Sequence, residues 1–222
     1  MRAAGAIRAA VDRHRALLGP DNGDGAGGSA NGYREINWDS VPDQFAEPNA
    51  LPGGFFNAPT VPRARGALLS TSGKNVAVSA RPGNPYGAAV RFGNINPTYS
   101  GRFHTFGPPR RFLPSAATSS TSPSACPEPS GPQSCAASAR STPMSTTGFR
   151  YYDIRGRLLE AFTVLAAPRG LSFLGVRFPN PVVARVRIQY GTPALGSNDS
   201  PSVDVGVIGN LIYGEPLPAP QH

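Results

Sequence analysis

The chain has 222 residues and a mass of 23.1 kDa, with 21 Lys and Arg against 13 Asp and Glu, a formal net charge of +8 and an isoelectric point near 10.2. Gly (26) and Pro (25) fill close to a quarter of it and charged residues only 15%, a balance between a turn-rich β domain and a disordered chain that excludes a long coiled coil. No apolar run reaches the roughly 18 residues of a membrane span.

The basic excess does not read as a nucleic-acid signature. Lys74 is the single lysine, so nearly all the positive charge is arginine. GC-rich codons produce that surplus together with Ala, Gly and Pro. The arginines are scattered, with no run longer than Arg110-Arg111, and no nucleic-acid partner is expected. The length suits one domain.

Residues 1–18 read as an N-terminal helix: over 3–18, Ile7, Val11 and Leu18 recur at near-helical spacing and Gly19-Pro20 ends the run. Arg8, Asp12, Arg13 and Arg15 interrupt it, so no signal peptide is expected in the chain as it stands. Residues 19–33 read as a flexible Gly-rich linker. Gly23, Gly25 and Gly28 match G-x-G-x-x-G by letter, but no strand precedes and no helix follows. The same stretch fails as an EF-hand loop, because Gly32 stands where the bidentate Glu belongs.

From 34 to 216 the pattern is that of a single β domain, with 217–222 a tail. Short β runs split by Gly, Pro and Asn predict strands near 66–71, 75–80, 88–93, 149–154, 158–165, 171–178, 182–190 and 203–213. In the clearest, Ala184, Val186, Ile188 and Tyr190 alternate with Arg185, Arg187 and Gln189, one face buried and one wet. Asp153 to Arg157 supplies the Asp and Gly of a tight hairpin. Strands at this spacing without intervening helices predict an all-β, antiparallel, jelly-roll-like sandwich.

Residues 115–147 break the pattern: 33 positions hold no Val, Ile, Leu, Phe, Tyr or Trp. Such a low-complexity insert cannot bury enough apolar surface to offset its ordering entropy, and is expected to be disordered or irregular. A chain short of strands there is expected to be marginally stable. The stretch also suggests a frame-shift hypothesis. Most Ser codons and all Cys codons begin with T, and T as a second base encodes only Phe, Leu, Ile, Met or Val. A Ser-rich and Cys-rich run is therefore what a hydrophobic β segment becomes in a neighbouring frame. The nucleotide sequence decides it: an alternative frame without β-like alternation sinks the hypothesis.

Candidate sites are few. Arg34, Asn37, Trp38 and Asp39 gather polar groups around the only Trp, as in a sugar site where an indole face stacks on a pyranose; the competing and favoured reading buries Trp38 and lets its neighbours brace a turn. Asn94 and Asn96 are ligand candidates on the same terms, with a turn before Pro97 as the favoured reading. Glu35, Asp39 and Asp204 are the candidates for a hard cation such as Ca²⁺, with Asp43 and Asp199 as further oxygen donors. No other cofactor is expected. Cys126, Cys135 and the three His show no zinc spacing. There is no G-x-S-x-G elbow, and no residue is assigned a catalytic role. The spacing of the acids does not single out a carboxylate pair.

In order along the chain, REINWD (34–39), VPD (41–43), FFN (55–57), FGNINPTY (92–99), GLSFLGVRF (170–178), ARVRI (184–188), ALG (194–196) and IYGEP (212–216) resemble a family of uncharacterised bacterial secreted or surface proteins with jelly-roll-like β-sandwiches. The resemblance covers about 3–114 and 148–216, and Gly209-Asn210 stands where the family tends to show Asp-Asp. It implies an extracellular or cell-surface location. Together with the sandwich fold it implies a non-enzymatic binding module for a glycan or cell-envelope polymer. A hydrolase on the same scaffold and a purely structural or adhesive surface protein are the alternatives. Nothing in the sequence sets an oligomeric state.

Overall fold

The computed structural model describes residues 1–25, 28–29, 31–73, 76–104, 106, 112–114, 118–123, 134–140, 147–167, 170–191, 193–200 and 202–216. They form an all-β structure of antiparallel sheets with one helix of length. The first sheet has seven strands. It comprises β1 (Arg2–Ala4), β2 (Tyr33–Ile36), β4 (Val76–Val78), β5 (Phe112–Pro114), β7 (Ser134–Arg140), β10 (Ser172–Arg177) and β12 (Val207–Gly214). Their order is β1-β10-β7-β12-β5-β4, with β2 also paired to β12. The second sheet runs β3 (Ala67–Thr71), β6 (Thr118–Pro123), β11 (Arg185–Gln189), β8 (Gly148–Tyr152) and β9 (Leu158–Thr163).

One cluster of buried side chains joins the sheets. Ile36, Leu174, Ile208 and Leu211 come from the first sheet and Leu69, Phe149, Tyr151, Val186 and Ile188 from the second. The period of two explains the choice in β11, where Val186 and Ile188 are buried and Arg185 and Arg187 exposed. In β12 all eight residues are buried, because the outer face of its sheet is covered as well. Helix α1 (Arg8–Leu18) packs there, and Ile7, Val11 and Leu18 meet Tyr33, Phe173 and Ile212. Each such aliphatic side chain contributes about 2 kcal/mol on burial.

The helix sets a tight condition on the strand beneath it. His14 is buried with its ring edge-on to Phe173, centroids 5.6 Å apart. A Cβ on Gly175 would fall 2.6 Å from the His14 Nδ1, so only glycine lets the imidazole lie on β10.

Several sequence expectations are corrected. The helix starts at Arg8 rather than residue 3, because residues 2–4 pair with β10 as β1 and Gly5, at φ 77°, turns the chain between them. The stretch 88–93 is a set of turns and not a strand. Arg91 and Phe92 take positive φ, and Asn84 closes the preceding loop by donating to the Ala88 carbonyl and accepting from the Ala88 amide. The expected hairpin is present: Asp153 accepts from the amides of Arg155 and Arg157, and Gly156 has φ 76°.

Within 115–147, two segments differ from the expected irregular chain. They are β6 and β7, and the rest of the insert lies outside the described residues apart from Thr147. Each strand lies between two others: β6 between β3 and β11, β7 between β10 and β12. The physical reason is backbone pairing, which needs no apolar side chain once both neighbouring strands offer a hydrogen-bonding edge. The tail at 217–222 also lies outside the described residues. Among the described residues, no helix is long and apolar enough to cross a membrane.

Candidate functional site

The site is built on β2, whose alternation sorts its residues between two environments. Ile36 enters the core between the sheets, and Tyr33 enters the cluster under α1. Glu35 shares the Tyr33 side, and Asn37 follows just beyond the strand. Beside α1 these residues form the floor of an open polar cleft of about 560 Å³, a volume in the usual range for small-molecule sites. Its walls are Arg8 and Arg15 from α1, Asp21, Gly23 and Asp24 from the loop after α1, Arg65, Phe106 and Asn210.

Glu35 is the hub of the cleft. Arg15 grips its carboxylate in a fork, with Nε 3.0 Å from Oε2 and Nη2 2.9 and 2.8 Å from the two oxygens. Asn210 donates to Oε1 at 2.5 Å. That residue sits where β12 shifts register between Ile208 and Leu211, and a bulge of this kind re-aims a side chain. Arg65 donates to the Glu35 carbonyl and lies 3.5 Å from Asp24.

Other groups in the cleft lack such engagement. Arg8 is exposed and forms no ion pair among the described residues; its guanidinium lies over Phe106 at 5.4 Å. Asp21 accepts from the Gly23 amide at 2.9 Å and has no cationic partner among the described residues. The Oδ1 of Asn37 is buried and has no hydrogen-bond partner among the described residues, a state that costs about 1–3 kcal/mol. Burial, and then the nearby Asp21 charge, raise the Tyr33 hydroxyl above the usual tyrosine range. It is therefore a neutral donor at physiological pH.

Of the residues singled out in the sequence, the cleft brings together Glu35 and Asn37 and no others. Trp38 is 0% exposed, at φ 68°, with its indole edge-on to Phe56. Its ring offers no face to a ligand. Arg34 is equally buried and forks onto Glu215, with distances of 2.8 to 3.0 Å. Asp39 lies in the turn after β2, half-buried. Asn94 donates to Glu47, whose carboxyl is pushed up by burial. The Oδ1 of Asn96 accepts from the Thr98 amide, and its Nδ2 donates to the carbonyls of Ser197 and Asp199. Both asparagines thus brace loops.

The cation candidates are also dispersed. Asp43 pairs with Arg81, Asp199 takes the Tyr99 hydroxyl, and Asp204 is buried elsewhere. Among the described residues, no group of three or more His, Cys, Asp or Glu is placed to hold a metal ion.

Sequence reasoning did not find Arg8, Arg15, Asp21, Tyr33, Phe106 or Asn210. Their convergence depends on where α1 docks and on a bulge in β12, and neither leaves a spacing in the sequence. The one available signal was the Gly209-Asn210 pair near the start of the last strand.

No protein-family model matches the chain, and no curated protein matches it. Several solved structures show distant likeness, and two of them illustrate it. The enzymatically active domain of tailspike protein 4 from bacteriophage CBA120 is 15% identical over 74% of this chain, with a TM-score of 0.34. This chain spans only 20% of that one. TmCBM61, solved in complex with β-1,4-galactotriose, is 12% identical over 68% of this chain and 84% of its own, with a TM-score of 0.30.

Proposed function

We propose that the protein is a non-enzymatic extracytoplasmic module that binds a glycan in the cleft beside α1. The observation that carries this reading is the composition of that cleft. The side-chain amide of Asn37, a neutral Tyr33 donor and a set of fixed charges line one open cavity. A ring bearing several hydroxyls both donates to and accepts from such groups. The location outside the cell follows from the family resemblance alone.

The binding reading is preferred to hydrolysis because of Glu35. The most central acid of the cleft has both oxygens engaged by Arg15 and one of them also by Asn210. A carboxylate held in this way is poorly placed to donate a proton to a leaving group or to attack a sugar carbon.

A glycan array on the full chain, followed by calorimetry on the best ligand, tests the proposal. Binding is expected, with at least a tenfold loss in Asn37→Ala and no turnover of the ligand over a day. Absence of binding to any glycan overturns the proposal, and so does release of shorter sugars.

A further inference from the structure

The charges of the cleft narrow the ligand further. Three arginines and three acids line it, but most are already engaged with one another. Arg15 is taken by Glu35 and Asp12, and Arg65 by Asp24 and the Glu35 carbonyl. Arg8 is different. Its guanidinium carbon lies 5.4 Å from the Phe106 ring centroid, a cation–π contact, and the residue is exposed with no ion pair among the described residues. Aspartate Asp21 is the counterpart, an acid on the same cleft with only a local amide bond among the described residues. To these the cleft adds the side-chain amide of Asn37, a polar group on the same lining.

A ligand that satisfies all three must carry one planar anion for the Arg8 fork and several hydroxyl donors for Asp21 and Asn37. Building on the glycan-binding reading, we infer that the cleft takes an acidic sugar, a hexuronic acid residue whose carboxylate pairs with Arg8 and whose ring hydroxyls face Asp21 and Asn37. A neutral sugar would leave the Arg8 edge unused. A phosphate dianion would bring two charges into a cleft with three acids. A singly charged carboxylate matches the guanidinium fork with two parallel hydrogen bonds and leaves the hydroxyl side of the ring uncharged. Arg8 is thus the specificity-determining residue, and Phe106 positions it.

Calorimetry on the full chain with galacturonate trimer and glucuronate-containing hyaluronan oligomers, each beside its methyl ester, tests this. Esterification removes the charge and keeps the hydroxyls. At least one acid is expected to bind ten times or more tighter than its ester. Arg8→Gln should remove that preference, weakening the acid tenfold while changing the ester less than twofold. Arg8→Lys, which keeps the charge and loses the fork, should restore only part of it. Because Arg8 is exposed, the variants are expected to melt with the parent. Equal binding of acid and ester, or a preference for neutral glycans, overturns the acidic-sugar inference and leaves the glycan reading standing. If no glycan of either kind binds on the calorimeter or the array, both fall.

Discussion

Strands β11 and β6 lie side by side in the five-stranded sheet and could hardly differ more in what they bring to it. Ile188 and Val186 of β11 are buried in the inter-sheet core, while the positions opposite them on β6 are Ser119 and Thr121. The seven-stranded sheet repeats the contrast, with Leu174 and Val176 of β10 opposite Ala137 and Cys135 of β7. Backbone pairing and core formation are thus separate contributions. A strand can take its place in a ladder through amides and carbonyls alone, but it adds stability mainly through the side chains it buries. In this molecule an inner strand of each sheet supplies the first without large apolar residues for the second.

Truncation separates the two strands most sharply. Ile188→Ala removes a fully buried side chain and should cost about 2–5 kcal/mol in urea unfolding. Ser119→Ala, directly opposite, should change stability by no more than about 0.5 kcal/mol. Similar losses at both positions would mean that β6 carries as much of the core as β11, and the contrast would be gone.

The converse experiment adds what β6 lacks. Ser119→Val with Thr121→Val places two branched apolar residues opposite Ile188 and Val186. At about 0.8 kcal/mol per buried methylene-sized group, the pair should gain about 2 kcal/mol. For a chain of this length the melting temperature should rise by about 4–8 °C. A fall instead would show that the space opposite β11 is already filled. The nucleotide sequence bears on the same point, since a β-like alternative frame across 115–147 would account for a strand position without a strand's residues.

What was legible in the sequence follows the same division. Strands whose side chains alternate into a core could be read, as at Val186 and Ile188 or Phe149 and Tyr151. Strands β6 and β7 could not, because pairing of the main chain leaves no pattern in the side chains. In the cleft, Glu35 and Asn37 were reached through the REINWD cluster, but the prominent residue of that cluster, Trp38, belongs to the interior. The period of two along β2 does not say which face is outward until α1 is docked. Arg8 and Asn210 are invisible for the same reason: one depends on the seat of a helix and the other on a register shift.

The outer face under α1 offers a second contrast with the inter-sheet core, because it buries a histidine. Burial, with the amino-terminal ammonium nearby, lowers the His14 pKa from 6.5 to about 4. The folded protein therefore holds His14 neutral where the unfolded chain protonates it. The stabilisation is present in full above about pH 6.5 and is lost as pH falls towards 4, with a slope of at most about 1.4 kcal/mol per pH unit. Urea titrations at pH 7.0, 6.0 and 5.0 should show that decline in the parent chain. His14→Leu should flatten it between pH 6.5 and 5, and an unchanged slope would assign the dependence to other groups.

A more modest effect lies at Asn210, where the outer face meets the cleft. Its amide donates to the Glu35 carboxylate that Arg15 also holds. Asn210→Asp replaces that donor with a second negative charge while keeping the shape. At pH 7 the two carboxylates repel at close range, with the Arg15 cation offsetting part of it, and a loss of about 1 kcal/mol is expected. Because one shared proton turns the repulsion into a hydrogen bond, the loss should shrink as pH falls towards 4.5, opposite in direction to the His14 dependence. Parallel urea titrations of the parent and Asn210→Asp read the difference directly. A loss that grows on acidification would mean that Asn210 supports the β12 bulge through its own backbone geometry and not through Glu35.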